Sequence, residues 1–428
     1  MSITQIPNVV SISSFRSETD NLIELSDTYL SEGRYSEAYA NLNQVLLLGK
    51  FGPEIYSRLG YVKYCCQEYE AAMNYYHFAV DEGVNSEKIN NKLGLLYLAM
   101  GDVKLAEECF LLAMEDPESY SDACLNMAKL SLAKEDYQTG WEYYCGQLGS
   151  YSANIPVPSE WENKTVLIYG HINPWQELFF LRFLSELKKY EAKKISYYCN
   201  EKFRVLLKGG VEGVDVLKIL PVEAQYDVII PITELPGVLS QSQILTFLKP
   251  ISFGRPNASN VKVIRNLLPN NGKENIAVAW ESFDVDSNGL KMRISPQLLG
   301  ECLRYRKANI LVIQKNPNIN DIRSLEKGLR RKIFNYSFVH DSIDDSNAFL
   351  SEMDRYITIG DQNIHLVYGL NEIGFDVKVS IMVTYPSQWQ WLASGNNTPW
   401  FPGFTLCRQD VSGSWEQACI DLQSSFCE

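Results

Sequence analysis

The chain reads as α + α/β: a helical repeat array over its first third, then two α/β halves built on parallel sheets. Two observations carry this reading. Four columns of residues return every 34 positions between residues 19 and 154. From Lys164 onward, short apolar runs of strand length alternate with amphipathic helical segments. A third observation points to a site. The apolar run Tyr356–Ile359 breaks at Gly360-Asp361 and hands over to a helical pattern carrying His365, Leu366 and Leu370. A strand that stops at glycine before a helix start leaves backbone N–H groups aimed at one spot, which suits an anion.

Composition limits the alternatives. A chain of 428 residues holds two or three domains, and 46% hydrophobic with 21% charged residues is ordinary for a globular protein. No apolar run is long enough to span a bilayer, and the N-terminal residues lack the basic and apolar regions of a signal peptide. Membrane insertion is therefore not expected, and the location expected is cytoplasmic. Ten scattered cysteines without a CxxC fit a reducing compartment and argue against a zinc module or a disulfide framework. Four histidines are too few for a His-rich metal centre. Residues 1–156 hold ten Lys/Arg and twenty-two Asp/Glu, so −12 of the net −13 lies there. That imbalance disfavours nucleic acid and anionic membranes and favours a protein partner.

The repeat columns are specific. Leu59-Gly60 returns as Leu93-Gly94, and more weakly as Leu25-Ser26 and Met127-Ala128. Tyr35, Tyr69, Val103 and Tyr137 follow, then the small residues Ala38, Ala72, Ala106 and Gly140, then Leu42, Tyr76, Phe110 and Tyr144. Small residues let paired helices approach, and large ones fill the gap between pairs. The pattern resembles the tetratricopeptide family, with a tail at 1–18 and an array at 19–156 in units 19–52, 53–86, 87–120 and 121–154. Such arrays form an α-solenoid whose first helices line a concave face. Tyr29, Tyr56, Lys63, Asn90 and Tyr97 fall there and are candidate contacts to a protein acceptor. Pro156 and Pro158 place the boundary near 155–162.

Beyond it, strands are expected at Thr165–Tyr169, Lys194–Cys199, Val214–Leu220 and Asp227–Pro231, with a helix over Leu178–Lys189. After a Pro/Asn/Gly-rich linker, further strands are expected at Ile276–Trp280, Asn309–Gln314, Tyr336–His340, Arg355–Ile359 and Val377–Val383. This gives two Rossmann-like halves, 160–250 and 271–428, with ligands at the carboxyl ends of the strands. Asp344-Asp345 reads as a helix N-cap and not as a metal pair. GxxxxGK[ST], HExxH, GxSxG and EF-hand patterns are absent.

The ending of the chain resembles bacterial proteins that fuse tetratricopeptide repeats to a GT-B glycosyltransferase domain of the heptosyltransferase-like, glycosyltransferase family 9-related type. The matching segments are Ile357–Asp361, His365-Leu366, Val377–Val383, Trp389-Gln390-Trp391-Leu392, Pro399-Trp400-Phe401-Pro402 and Arg408-Gln409, with weaker matches at Lys291–Pro296, Ile310–Lys315 and Thr165–Leu184. Some relatives glycosylate flagellin. The resemblance implies a metal-independent, inverting transfer from a nucleotide sugar, CMP- or UDP-linked, to Ser or Thr of a protein held by the repeats. Donor contacts would come from Gly360, Asp361, Gln362, Asn363 and His365, from Lys291, Arg293, Gln314 and Lys315, and from the aromatic planes of Trp280, Tyr385, Trp389 and Trp400. Departures concentrate in the ligand loops. Gln176 stands where the family has a candidate general-base Asp, and an amide cannot accept the proton, which leaves His171 and Glu177 as replacements. Ser282-Phe283-Asp284 replaces a Gly-Asn-Pro turn, and Trp175 a glycine. The competing reading is a catalytically inactive scaffold that binds protein through its repeats.

Overall fold

The computed structural model describes residues 12–83, 86–146, 156, 158–170, 174–199, 204, 207, 211–240, 255–282, 290 and 292–427. The architecture is α + α/β, a helical-repeat array followed by two parallel-sheet halves. Contacts divide the chain into two compact units, with the break between Ala123 and Cys124.

The first unit consists of helical hairpins: α1 (Ile12–Ser31) with α2 (Tyr35–Leu47), α3 (Pro53–Cys65) with α4 (Tyr69–Asp81), and α5 (Ser86–Ala99) with α6 (Val103–Ala113). Helix α1 begins at Ile12, inside the stretch expected to be a tail, because repeat phase marks only the residues that pack against a partner helix. The small-residue column Ala38, Ala72, Ala106 and the large column Leu42, Tyr76, Phe110 are buried, as the spacing predicts. A Cβ on Gly60 would stand 2.5 Å from the Tyr76 ring, and one on Gly94 would stand 2.5 Å from the Phe110 ring. The repeating Leu-Gly pair thus exists so that the next helix's aromatic can lie against bare backbone. A further column escapes sequence inspection. Gly33, Gln67, Gly101 and Glu135, each 34 residues apart, all take left-handed φ, between 62° and 89°, to turn from first helix to second.

The break falls in the first turn of α7 (Tyr120–Ala133), so the second unit opens with the rest of that helix and α8 (Tyr137–Gly146), most of the last repeat. The proline-marked boundary therefore does not coincide with the packing boundary. Trp141 of α8 is fully buried in the core of the α/β region, which binds this repeat to it. The first half is a four-stranded parallel sheet in the order β3-β2-β1-β4: β1 (Thr165–Tyr169), β2 (Lys194–Tyr198), β3 (Asp215–Leu217) and β4 (Val228–Pro231). Helix α9 (Pro174–Phe180) continues as a 3-10 helix over Leu181–Lys189, where one α-helix was expected. Arg182 Nε and Ser185 Oγ each donate to a carbonyl three residues back, at 2.9 and 2.7 Å, favouring the tighter winding.

The second half is a six-stranded parallel sheet in the order β10-β9-β8-β5-β6-β7. Its strands are β5 (Asn275–Val278), β6 (Asn309–Val312), β7 (Phe334–Asn335), β8 (Arg355–Thr358), β9 (Lys378–Val383) and β10 (Thr405–Arg408). The expected strand Tyr336–His340 is instead the two-residue β7 and a 3-10 turn over Ser337–Asp341. The Asn335 side-chain Oδ1 accepts from the Ser337 N–H and from its Oγ–H, closing a turn that ends the strand. Around this sheet lie α11 (Ala258–Leu267), α12 (Pro296–Leu303), α13 (Ile319–Leu329), α14 (Ile343–Leu350), α15 (Asn363–Glu372) and α16 (Glu416–Ser424), while α10 (Leu235–Ser240) follows β4. Asp344 and Asp345 lie in the first turn of α14 and Ser342 takes the cap position, two residues ahead of the expected Asp344. One disulfide, Cys302–Cys419, joins α12 to α16, against the expectation of none. Residues 117 apart in sequence meet because both helices cover the same face of the sheet.

Gly94→Ala places a methyl group on the Phe110 ring and is expected to destabilise the chain by about 1–2 kcal/mol, overcoming the helix propensity gained. Denaturant unfolding followed by far-UV circular dichroism measures it.

Candidate functional site

The order of strand addition reverses in the larger sheet between β5 and β8: β5 leads outward to β6 and β7, and β8 leads the other way to β9 and β10. A parallel sheet opens a crevice beyond its carboxyl ends at such a point. Here the crevice is lined by Glu281 and Ser282 after β5, Gln314 and Lys315 after β6, His340 after β7, and Asp361 and Gln362 after β8. Gln314, Lys315, Asp361 and Gln362 are among the residues the sequence singles out. Glu281, Ser282 and His340 are not. Ser282 sits in the loop that departs from the family, and His340 was hidden within an expected strand.

The walls are tied together by specific bonds. Gln314 Oε1 accepts from the Trp280 and Glu281 N–H groups at 2.9 and 3.0 Å, while its Nε2 donates to the Glu281 carbonyl at 3.0 Å. Its amide therefore staples the ends of β5 and β6. His340 Nε2 is hydrogen-bonded to the Ile313 carbonyl. Arg293 is exposed and ion-paired with both Glu281, at 3.2 Å, and Asp321, at 2.6 Å, so its charge is matched within the chain. Lys315 lines the crevice itself. Lys291 lies outside the described residues.

At the β8–α15 junction Gly360 has φ 90°, and a Cβ there would stand 3.0 Å from the Trp391 ring. Both needs, left-handed backbone and close approach, call for glycine. Asp361 occupies the anion position at the start of α15 with its own carboxylate. Oδ1 accepts from the Asn363 N–H at 3.1 Å, and Oδ2 accepts from the Tyr356 hydroxyl at 2.5 Å. The expected phosphate contact at this helix start is thus taken by a side chain of the protein. Burial raises the Asp361 pKa, and the Tyr356 hydroxyl bond opposes that shift.

Several candidates lie in the core instead of the crevice. Trp280 is fully buried, and Trp400 is 2% exposed. Trp389 is half-buried, edge-on to Phe179, Trp141 and Trp400. Tyr385 is half-buried, and its N–H donates to Gln409 Oε1 at 3.0 Å. His365 faces inward between Phe179 and Phe401. Desolvation, aided by the nearby Arg182 guanidinium, pushes its pKa down to about 3, so the ring is neutral at neutral pH. The burial of His365 follows from α15 being covered on nearly all its residues.

Arg182 connects the two halves. Its Nη1 donates to the Trp400 carbonyl and its Nε to the Phe179 carbonyl, both at 2.9 Å, and its guanidinium lies 3.9 Å from the Phe179 ring centre. Across the smaller sheet, Glu177 is fully buried and its Oε1 accepts from the Tyr197 hydroxyl, with Gly170 packed directly over the carboxylate. A general base must reach the proton it removes. Glu177 presents no oxygen at the surface. His171 lies outside the described residues.

In the repeats, Tyr29, Tyr56, Lys63, Asn90 and Tyr97 are all partly exposed on first helices. The Arg34 guanidinium covers the Tyr29 ring at 4.1 Å, and Lys63 is paired with Glu68 at 2.7 Å.

No family model and no curated protein matches the chain. Among solved structures, a glycosyl transferase family 9 protein from Veillonella parvula shares 9% identity over 63% of this chain and 90% of that one, with a TM-score of 0.43. An O-GlcNAc transferase mutant from Thermobaculum terrenum shares 11% over 97% and 90%, with a TM-score of 0.38. MamA shares 21% over 32% and 80%, with a TM-score of 0.27. At these scores the likenesses add nothing to the strand order read directly above.

Two variants test the electrostatic assignments. The unfolded chain protonates His365 near pH 6.5 and the folded one near 3, so its contribution is present above pH 6.5 and lost as pH falls. His365→Phe should remove that loss, flattening stability against pH by about 1.4 kcal/mol per unit across this window in urea titrations. Asp361→Ala strips the acceptor from the Tyr356 hydroxyl and the Asn363 N–H and should cost about 1–3 kcal/mol, with Asp361→Asn costing less.

Proposed function

We propose that the chain is a glycosyltransferase that uses a nucleotide-activated sugar and modifies a protein. The observation that carries this reading is the polar crevice at the reversal point of the larger sheet, on the same chain as a protein-binding type of repeat array. Lys315 supplies a donor for a nucleoside phosphate, while the Glu281 and Asp361 carboxylates suit hydroxyl or amino groups. The GT-B resemblance of residues 160–428 supplies the reaction class. A Ser or Thr hydroxyl of the acceptor, flagellin among the candidates, attacks the anomeric carbon, the bond to the phosphate oxygen breaks, and the configuration inverts without a metal. With Glu177 enclosed, His171 is the remaining candidate to take the hydroxyl proton.

A second reading has its own support. The enclosed Glu177 and the self-capped start of α15 fit a transferase fold kept as a protein-binding scaffold.

Thermal unfolding with CMP, UDP, GDP and ADP separates the two. The transferase reading expects one of them to raise the midpoint, by up to about 2.7 kcal/mol of stabilisation at a hundredfold excess over Kd, and Lys315→Ala to remove the shift. Silence from all four nucleotides favours the scaffold. If a nucleotide binds, a mass increase on a protein of the cell lysate incubated with the matching sugar nucleotide completes the test.

A further inference from the structure

The last repeat of the array carries a helix on the outer side of its second helix. Cys145 of α8 lies against the segment that holds α10, and its Sγ donates to the Glu234 carbonyl at 3.9 Å. A Cβ on Gly237 would run into that sulfur and stand 3.5 Å from the Trp141 carbonyl, so α10 rests on α8 with bare backbone. The 34-residue period carries Cys145 and Gly146 back to Leu111 and Leu112 of α6, and further back to His77 and Phe78 of α4. Leu111 and Leu112 are 47% and 48% exposed, Leu105 on the same helix is 38% exposed, and Phe78 is 52% exposed. The position that seats a helix in the fourth repeat is therefore more apolar in the third, and it is open to solvent.

Single leucines on a surface need no explanation, but large apolar side chains gathered on one helix face do. The arrangement on α6 is specific. Leu105 and Leu112, seven residues apart, share one side of its outer face, and Leu111 lies on the other. Glu108 and Glu115 run between them, both exposed. Lys104 is the one base nearby, 4.0 Å from Glu108, and so open a pair neutralises little. From Asp102 to Asp122 the chain has seven acidic residues, Asp102, Glu107, Glu108, Glu115, Asp116, Glu118 and Asp122, against that single lysine. A carboxylate row bordered by leucines is complementary to a helix that brings apolar and cationic side chains on one face.

We infer that the outer face of α6 docks an amphipathic basic helix of a partner protein. Its apolar residues sit on Leu105, Leu111 and Leu112, and its Lys or Arg side chains reach Glu108 and Glu115. A helix is the form of partner because α10 takes the repeat-equivalent place on α8. A second copy of this chain, packed face to face, would bring the same carboxylates together. The surface belongs to the second helices, whereas Tyr29, Tyr56, Lys63, Asn90 and Tyr97 are on first helices. The inference goes beyond the transferase reading and does not rest on it.

The test uses the full chain and three fluorescein-labelled, Ala-based helical peptides of about five turns, read by anisotropy at low salt. One carries leucines on one face flanked by lysines. The second replaces its lysines with glutamates, and the third keeps the lysines but distributes the leucines around the helix. The first should bind about tenfold or more tighter than either of the others. Leu111→Gln/Leu112→Gln and, separately, Glu108→Gln/Glu115→Gln should each weaken it by about fivefold or more, with thermal midpoints close to the parent's because these side chains face outward. Leu47→Gln, at a leucine of α2 that is 88% exposed, should leave binding unchanged. Equal binding of the three peptides, including no binding of any, overturns the inference. So does binding that survives both double variants or falls equally in Leu47→Gln. Sedimentation velocity adds one more outcome: a dimer abolished by Leu111→Gln/Leu112→Gln makes the occupant a second copy and likewise overturns it. Nucleotide-dependent thermal stabilisation, measured on that same variant, reads the transferase proposal separately from the peptides.

Discussion

The α/β unit depends on one buried guanidinium. Arg182 grows from the segment that follows β1, yet its hydrogen bonds run to carbonyls on both sides of the junction between the sheets, Phe179 and Trp400. A fully buried charge stands only where polar atoms and ring faces replace its water. Phe179, Trp400 and Phe401 provide those faces. Burial, aided by this cation, keeps His365 neutral, and the Trp400 carbonyl of the aromatic loop after β9 is turned inward to accept from the guanidinium. Trp141 of α8 then closes the cluster, edge-on to Phe180 and Phe183 of one half and to Trp389 and Trp400 of the other. Three parts of the chain thereby share a single core.

How much of this the sequence shows depends on which kind of information each feature uses. The repeats are legible because helix contacts fall on fixed positions, and Gly60 and Gly94 show even the aromatic partner's location. Gln67 and Glu135 are not legible as turn residues, because only their backbone angle repeats and their side chains carry no trace of it. Strand positions are legible to within a few residues for β1 to β9, while β10 (Thr405–Arg408) falls where no strand was expected. Strand order is not, since hydrophobic runs do not state their neighbours. The disulfide stays hidden for the same reason.

The site divides along the same line. Lys315, Asp361 and Gln362 are found because polar residues just past a strand end in this architecture face the crevice. Trp280 and His365 have the right chemistry at nearly the same positions, but their side chains point into the core, and a single sequence does not state which side of the strand end a residue takes. Asp361 carries a further lesson. Its proximity to a helix start marks an anion position correctly, yet the anion is its own carboxylate. Motif spacing identifies the place, and only the hydrogen bonds say who fills it.

The placement of the last repeat bears on how such chains change over time. Repeat arrays diversify by duplication, loss and exchange of whole units. A recombination that swapped the array at its proline-marked end would carry Trp141 away and leave an indole-sized hole against Phe183 and Trp400. Descendants of such an event would be cleared by misfolding before their new binding specificity was ever sampled. Viable crossovers lie earlier, so the preceding repeats are free to turn over while the final repeat is inherited with the sheets.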